Sequence, residues 1–201
     1  MKYQFDLLQT EAVYRGFLKL NRYRLKHELY QGGESEPLIR ERLEGLRAAS
    51  VLLYDPKLDQ VVLVEQFRIG AVGHEPIPWL LETVGGFVPA QESDESVARR
   101  EAVEEANCEI GRIEQICEFM VSPGISVDRI VLFCGEVDAS KAAGVHGLDH
   151  EGEDIRVAVL GAEEAIGELY GGRANSTSII ITLQWLAMNR TALRARWRET
   201  A

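Results

Sequence analysis

Cysteine is scarce in this sequence, and no apolar stretch is long. The three cysteines are Cys108, Cys117 and Cys134, and no two of them form a Cys-x-x-Cys pair, so neither a disulfide framework nor a zinc cluster is expected. We predict that all three are buried thiols. No apolar run approaches the roughly 18 residues needed for a membrane-spanning helix, and the first residues lack the basic and then apolar order of a secretion signal. We therefore expect a cytoplasmic protein.

Basic residues are also fewer than acidic ones. The chain has 22 Lys and Arg against 32 Asp and Glu, a formal net charge of −10, which argues against a nucleic-acid-binding surface. Two glycine patterns of nucleotide-binding proteins, Gly-x-Gly-x-x-Gly and the P-loop, are absent from the sequence. With 201 residues, 46% of them hydrophobic, the chain can nevertheless bury a sizeable core, and we predict one compact domain with an appendage.

The most informative stretch is residues 85–108, where a glycine-containing loop is predicted to lead into one helix. Ser93 is a suitable N-cap, and Asp94 and Glu95 would put negative charge in the first turn, where the helix dipole favours it. We predict a helix from about Asp94 to about Ala106, because most residues between them are strong helix formers.

Three glutamates share one side of this predicted helix. Glu101, Glu104 and Glu105 are spaced i, i+3 and i+4, and like charges at this spacing destabilise a helix slightly. A solvated acidic face relieved by Arg100 would account for them. A site for Mg²⁺ or Mn²⁺ would also do so, because these hard cations bind carboxylate oxygens. The three residues by themselves leave both interpretations open.

The complete spacing around the glutamates favours the metal site. It follows the pattern G-x5-E-x7-R-E-U-x-E-E-x-G-U, in which U is an aliphatic residue, with every charged position occupied: Gly86, Glu92, Arg100, Glu101, Ala102, Glu104, Glu105, Asn107 and Cys108. This is the Nudix box, and the chain therefore resembles a Nudix hydrolase. Asn107 replaces a glycine, which is a mild departure because asparagine tolerates the left-handed conformation common at helix ends.

The rest of the chain supplies strands and two more helices. We predict strands at about 49–54, 61–67, 78–84, 113–121, 129–137 and 155–160, a short helix at 162–170 and a longer one starting near Ser176 or Thr177. This order fits a mixed sheet with helices on both faces, the Nudix-type α/β/α sandwich that the resemblance also implies. We place a Nudix hydrolase domain at residues 46–201.

The N-terminal part differs from this domain. Extended segments between Ala12 and Leu43, with a turn at residues 31–33, predict a small antiparallel β arm at residues 1–45. A few short strands without a helix make a poor core, so they need another surface, either the main domain or a second copy of the chain.

Motifs outside the box narrow the resemblance to the bacterial ADP-ribose pyrophosphatase branch. They are Tyr14-Arg15-Gly16-Phe17, Glu65-Gln66-Phe67-Arg68, Pro78-Trp79-Leu80-Leu81-Glu82, Ser122-Pro123-Gly124 and the acidic loop of residues 146–154. The resemblance implies hydrolysis of ADP-ribose to AMP and ribose 5-phosphate with Mg²⁺, for which Mn²⁺ can substitute. It also implies a homodimer whose exchanged N-terminal strands help to form the partner's adenine pocket.

The resemblance assigns roles to residues of this chain. It puts metal ligands on the Gly85 carbonyl, Glu101, Glu105 and Glu153, and the catalytic base on Glu151; Glu104 is a reserve ligand or orients the other ligands. Gly86, Glu92 and Arg100 are implied to be structural, the last two as an ion pair. The implied substrate contacts are Phe17, which stacks on adenine, and Arg40, Glu41, Arg68, Phe87, Ser122, Pro123, Gly124 and Asp128, where the family has a longer glutamate.

Alternatives remain open for several of these assignments. Seen alone, the charges of the acidic loop could simply increase solubility. Glu151 and Glu153 are close enough in sequence to have the reverse roles. The same metal site could serve another nucleotide sugar such as GDP-mannose, because specificity resides in the base pocket. A Nudix-shaped binding module without turnover is a third interpretation, although the loss of box carboxylates that would mark it has not occurred.

Overall fold

The computed structural model of the protein describes residues 3–74 and 77–198. It divides into two compact units. The first consists of the residues up to Arg47 together with Phe119–Arg129, and the second of Ala48–Glu118 and the chain from Ile130 onward. The division into domains 1–45 and 46–201 stays a prediction.

The first unit contains a three-stranded antiparallel sheet, as the sequence predicts for the N-terminal arm. Its strands are β1 (Phe5–Arg15), β2 (Lys19–His27) and β3 (Leu38–Glu44), in the order β1-β2-β3. Gly32 and Gly33 adopt φ angles of 87° and 82° at the predicted turn between β2 and β3. Positive φ angles at two successive residues favour glycine, which has no side chain to clash with the backbone.

The larger sheet has eight strands and is accompanied by three helices. The strands are β4 (Arg47–Asp55), β5 (Gln60–Phe67), β6 (Trp79–Glu82), β7 (Val84–Phe87), β8 (Ile113–Met120), β9 (Arg129–Glu136), β10 (Val145–His146) and β11 (Ile155–Gly161), and the helices are α1 (Asp94–Ala106), α2 (Ala162–Gly171) and α3 (Thr177–Arg198). The main strand order is β10-β11-β5-β4-β9-β8, while β6 pairs with β5 and β7 pairs with β4. None of the described helices has both the length and the apolarity to span a membrane.

Helices cover both faces of this sheet. Alternate residues of β4 point to opposite faces, so Val51 and Leu53 join the core beneath α1, whereas Leu52 and Tyr54 join the core beneath α2 and α3. On α1 three alanines spaced four residues apart, Ala98, Ala102 and Ala106, are fully buried. The predicted α/β/α sandwich is confirmed.

The predicted strand at 78–84 is wrong in one respect. The structure contains two short strands here, β6 on β5 and β7 on β4, separated by Thr83. Gly85 and Gly86 belong to β7 and do not form a loop. β4 approaches this strand so closely that a Cβ atom added to Gly85 would lie 2.5 Å from the Ala49 carbonyl oxygen.

The predicted ends of α1 are confirmed. The Ser93 hydroxyl accepts a hydrogen bond from the Ser96 amide, and Asn107 ends the helix with φ 51° and ψ 38°, in the left-handed region. The prediction of three buried thiols holds for Cys108 and Cys134, but Cys117 is only half-buried, on β8 near the edge of the sheet.

An ion-pair cluster attaches α3 to the turn between β4 and β5. The Asp59 carboxylate accepts hydrogen bonds from Arg190 Nε at 2.9 Å, Arg194 Nη1 at 3.1 Å and the Tyr54 hydroxyl at 2.7 Å. The hydrogen bonds from Arg190 are the main cause that lowers the pKa of Asp59. Asp59 also has a φ of 60°, a conformation that asparagine tolerates well.

We therefore predict that Asp59→Asn destabilises the protein by about 2 kcal/mol at pH 7, because the charge-assisted hydrogen bonds are weakened while the backbone conformation is kept. The folded-state pKa of Asp59 lies below the unfolded value of about 3.9, so this stabilisation is fully present above pH 3.9 and is lost as the pH falls through the folded-state pKa. Urea unfolding at pH 7 and at lower pH values measures the difference, which should shrink in acid.

Glu163→Gln is the matched control. Glu163 also pairs with Arg190, at 2.7 Å, but its side chain is 86% exposed, and we expect a change of less than about 0.5 kcal/mol. Equal effects of the two substitutions at pH 7 would contradict the assigned role of Asp59.

Candidate active site

The glycine strand β7 lies directly against the glutamates of α1. The Gly85 amide donates a hydrogen bond to Glu105 Oε2 at 3.1 Å. A Cβ atom added to Gly86 would lie 1.9 Å from Glu101 Oε1, so a side chain there would displace this carboxylate. Gly86 therefore allows the Glu101 carboxylate to approach the backbone of β7 closely, while the Gly85 amide binds Glu105 directly.

Of these carboxylates, Glu105 is buried and Glu101 is half-buried, and the pKa of each is raised. Glu105 is 2% exposed, and its pKa is raised to about 8, mainly by burial. The charges of Glu101 and Glu153 also raise this pKa, whereas the hydrogen bond from the Gly85 amide lowers it. The pKa of Glu101 is also raised, mainly by burial and in addition by Glu104 and Glu153, while Arg100 lowers it. The site thus concentrates carboxyl groups that have little access to water.

Arg100 partly compensates this charge. Its Nη1 atom lies 2.6 Å from Glu104 Oε2 and 3.1 Å from Glu101 Oε1, and its Nε atom lies 3.6 Å from Glu92 Oε2. One guanidinium therefore connects the loop before α1 with two glutamates of the helix.

The acidic loop between β10 and β11 contacts α1. The Gly147 amide donates to the Glu104 carbonyl oxygen at 3.4 Å, and the Leu148 amide donates to Glu153 Oε2 at 3.0 Å. Glu153 influences the pKa of both Glu101 and Glu105, so its charge lies on their side of the loop. Glu151 ends a short 3₁₀ turn with an exposed side chain, 3.7 Å from His150. The charge of Glu153 therefore acts on the box carboxylates, whereas the side chain of Glu151 is exposed beside His150.

The donor set suits a hard divalent cation. A buried carboxylate whose pKa is raised by burial and by neighbouring carboxylates gains stability from an added positive charge, and oxygen ligands are those that Mg²⁺ prefers. Within residues 3–74 and 77–198, no three acidic, His or Cys side chains are already arranged around a single point. The contacts of Glu104 and Glu101 with Arg100, and of Glu105 with Gly85, account for these side-chain orientations.

A second arginine faces the site from the end of β5. Arg68 Nε donates to Glu82 Oε2 at 2.6 Å, and its positive charge lowers the pKa of Glu105. Phe87 is exposed at the end of β7. Glu82 was not among the predicted site residues, because only the strand register reveals that it can meet Arg68.

The other predicted substrate contacts lie in the first unit. Phe17 is exposed in the turn between β1 and β2, and Glu41 accepts a hydrogen bond from Arg22 Nη2 at 2.8 Å. Arg40 Nη1 donates to the Ile39 carbonyl oxygen at 2.8 Å. Asp128 Oδ1 accepts from the Leu46 amide at 3.0 Å, so this shorter acid already stabilises the local backbone.

The predicted contacts at residues 122–124 form a tight turn in the same unit. The Ser122 carbonyl oxygen accepts hydrogen bonds from the amides of Ile125 and Ser126 at 3.0 and 2.9 Å. Pro123 and Gly124 occupy the positions between them. Leu43 of β3 pairs with this turn, because its amide donates to the Ile125 carbonyl oxygen at 2.8 Å.

The glycine strand, the carboxylates of α1 and Arg100 form the arrangement expected of a Nudix box. A family model described as the NUDIX domain matches residues 45–178, and the chain belongs to this family. It is 42% identical to the ADP-ribose pyrophosphatase of Escherichia coli (strain K12) over 196 residues, which cover 98% of this chain and 94% of that protein.

Two further comparisons are more distant. The chain is 30% identical to the GDP-mannose pyrophosphatase of Yersinia enterocolitica over 186 residues, 92% of this chain and 96% of that protein. A solved structure titled "Crystal structure of ADP compounds hydrolase" superimposes with a TM-score of 0.70 at 15% identity, covering 92% of this chain and 96% of that one. At this identity the likeness supports the fold alone.

The burial of Glu105 leads to a prediction for the metal-free protein. Its folded-state pKa of about 8 exceeds the unfolded value of about 4.3, so the folded protein keeps a proton that the unfolded chain releases. Stability is therefore full below pH 4.3 and declines as the pH rises towards 8. Glu105→Gln removes this decline and should make the protein more stable than wild type at pH 8 in EDTA, by roughly 2 kcal/mol.

Urea unfolding in EDTA at pH 5 and pH 8 measures this effect. Glu95→Gln, on the exposed first turn of the same helix, should follow the wild type at both pH values. If wild type and Glu105→Gln lose the same stability between pH 5 and pH 8, the buried carboxylate is not the cause.

Proposed function

We propose that this protein hydrolyses the diphosphate of ADP-ribose to AMP and ribose 5-phosphate with Mg²⁺, and that Mn²⁺ can substitute. The observation that carries the proposal is the 42% identity, over 98% of the chain, to a protein named ADP-ribose pyrophosphatase. The lower identity to a GDP-mannose pyrophosphatase makes that substrate the weaker candidate. The intact set of box carboxylates supports hydrolysis over binding without turnover.

The proposed metal ligands are the Gly85 carbonyl oxygen and the carboxylates of Glu101, Glu105 and Glu153. When bound, Mg²⁺ would neutralise diphosphate oxygens and increase the acidity of water. Support comes from the burial of Glu105 and from the charges of Glu101 and Glu153, both of which raise the pKa of Glu105. Glu104, which shares Arg100 with Glu101, is proposed to orient the ligands or to replace one.

Glu151 is the proposed general base. A base must accept a proton from the attacking water, and an exposed carboxylate with one loose partner, His150 at 3.7 Å, is available for this. Glu153, by contrast, accepts a hydrogen bond from the Leu148 amide and acts electrostatically on the box carboxylates. These different surroundings support the proposed division of roles between the two residues.

Substrate binding is proposed to involve Arg68 and Phe87 and, from the first unit, Phe17, Arg40, Glu41, Ser122, Pro123, Gly124 and Asp128. We also propose a homodimer with exchanged N-terminal strands, in which Phe17 of one copy stacks on the adenine bound by the other. The exposed surface of β1 supports this arrangement: all its residues are exposed, including Phe5, Leu7 and Leu8, and apolar exposure of this kind marks interfaces. The unpaired cysteines support a cytoplasmic location.

The substrate proposal is tested by comparing turnover of ADP-ribose and GDP-mannose at fixed Mg²⁺. We expect kcat/KM to be at least about tenfold higher for ADP-ribose, with AMP and ribose 5-phosphate as products identified by chromatography. Preference for GDP-mannose would contradict the proposed substrate, and binding of both compounds without turnover would instead favour the binding module.

Glu105→Gln should stay folded but hydrolyse ADP-ribose at least about 100-fold more slowly, because a proposed ligand loses its charge.

The role of Glu151 gives a separate prediction. Glu151→Gln should lower kcat by about 100-fold or more with little change in Mg²⁺ affinity, because a general base is lost while the ligands remain. Steady-state kinetics and calorimetric Mg²⁺ titration measure the two quantities. Asp149→Asn, in the same short turn, is the control and should change neither. A collapse of Mg²⁺ affinity would show that Glu151 and Glu153 have the reverse roles.

A further inference from the structure

The Arg68–Glu82 pair joins two residues of the β5–β6 hairpin that are not cross-strand neighbours. In the strand register Phe67 lies opposite Trp79 and Val64 lies opposite Glu82, and the Arg68 amide donates to the Pro78 carbonyl oxygen at 2.8 Å. Arg68 therefore has Pro78 as its cross-strand neighbour, yet its side chain contacts a residue four positions further along β6. The arginine side chain lies back along the strand, towards β7.

Glu82 lies on the face of the sheet that carries the box helix. Residues directly opposite in an antiparallel pair project to the same face, and Val64, opposite Glu82, belongs to the core beneath α1. Leu81, the preceding residue, belongs to the core beneath α2 and α3. The pair thus shares a face with Glu105, consistent with the effect of Arg68 on that carboxylate.

The hydrogen bond to Glu82 uses only one edge of the guanidinium. Arg68 Nε is the donor, whereas the two terminal Nη atoms form no hydrogen bond with any residue in 3–74 or 77–198. The Arg68 side chain is 47% exposed and Glu82 15% exposed. A guanidinium with two parallel N–H groups facing solvent matches the oxygens of a phosphate.

We propose that Glu82 is a positioning residue that holds Arg68 so that its two Nη atoms face the diphosphate of the substrate. This inference rests on the proposed function and deepens it. Arginine has many rotamers, and a side chain tethered only by substrate would have to be ordered at each binding event. Glu82 orders the side chain beforehand through the hydrogen bond to Nε.

The test is a double-mutant cycle with Glu82→Ala, Arg68→Ala and the combined variant, assayed with ADP-ribose and Mg²⁺. Glu82→Ala should raise KM by about tenfold with kcat little changed, because the contact exists in both the ground state and the transition state. In the Arg68→Ala background the same substitution should change kcat/KM by less than about twofold, since its effect requires the arginine. Glu82→Gln should restore most of the wild-type KM, because its amide oxygen can still accept from Arg68 Nε.

Glu65→Ala is the matched control. Glu65 lies on β5 with a side chain 18% exposed and pairs with Arg156 at 2.6 Å, the same distance as in the Arg68–Glu82 pair. It lies opposite Leu81, on the other face of the sheet, and its removal should leave kcat/KM within about twofold of wild type. Thermal unfolding of every variant verifies that the compared proteins are folded.

The possible outcomes distinguish a failure of the proposed function from a failure of the positioning role of Glu82. Wild-type protein that does not turn over ADP-ribose would overturn the proposed function and, with it, this role of Glu82. Turnover by the wild type together with an unchanged KM in Glu82→Ala would overturn the positioning role alone. An equal loss of kcat/KM in the wild-type and Arg68→Ala backgrounds would do the same, because it would reveal an effect independent of Arg68.

Discussion

The contact between the buried Glu105 carboxylate and the Gly85 amide is the constraint on which the site depends. It requires α1 to lie so close to β7 that a side chain on Gly86 would collide with Glu101, while β4 leaves no room for a side chain on Gly85. The small alanines on the buried side of α1 permit this approach, because a larger residue would separate the helix from the sheet. Burial then makes the carboxylate charge costly, and a divalent cation is the natural compensation.

The architecture on the opposite face holds the sheet in place for this contact. Residues of β4 alternate between the two cores, so the strand that pairs with β7 is also packed beneath α2 and α3. The Asp59 cluster attaches α3 to the turn that follows β4. The position of the glycine strand is therefore supported by a helix that supplies no proposed ligand.

Two arginines form ion pairs with glutamates at the acidic site. Arg100 connects the loop before α1 with Glu101 and Glu104, while Arg68 is held by Glu82 and keeps two donors towards solvent. The two residues illustrate different uses of the same group. Arg100 is engaged by three carboxylates and contributes rigidity, whereas Arg68 is engaged by one and remains able to bind an anion.

The sequence by itself determined the family, the α/β/α sandwich, the extent of α1 and its Ser93 and Asn107 ends. These follow from residue spacing and from local capping chemistry, which act over a few positions. The tertiary structure alone decided that Gly85 and Gly86 form a strand, that Cys117 is half-buried, that the charge of Glu153 acts on Glu105, and that Glu82 meets Arg68. Each depends on which strands pair and in what register, and distant segments of the chain settle this together, so no local pattern could reveal it.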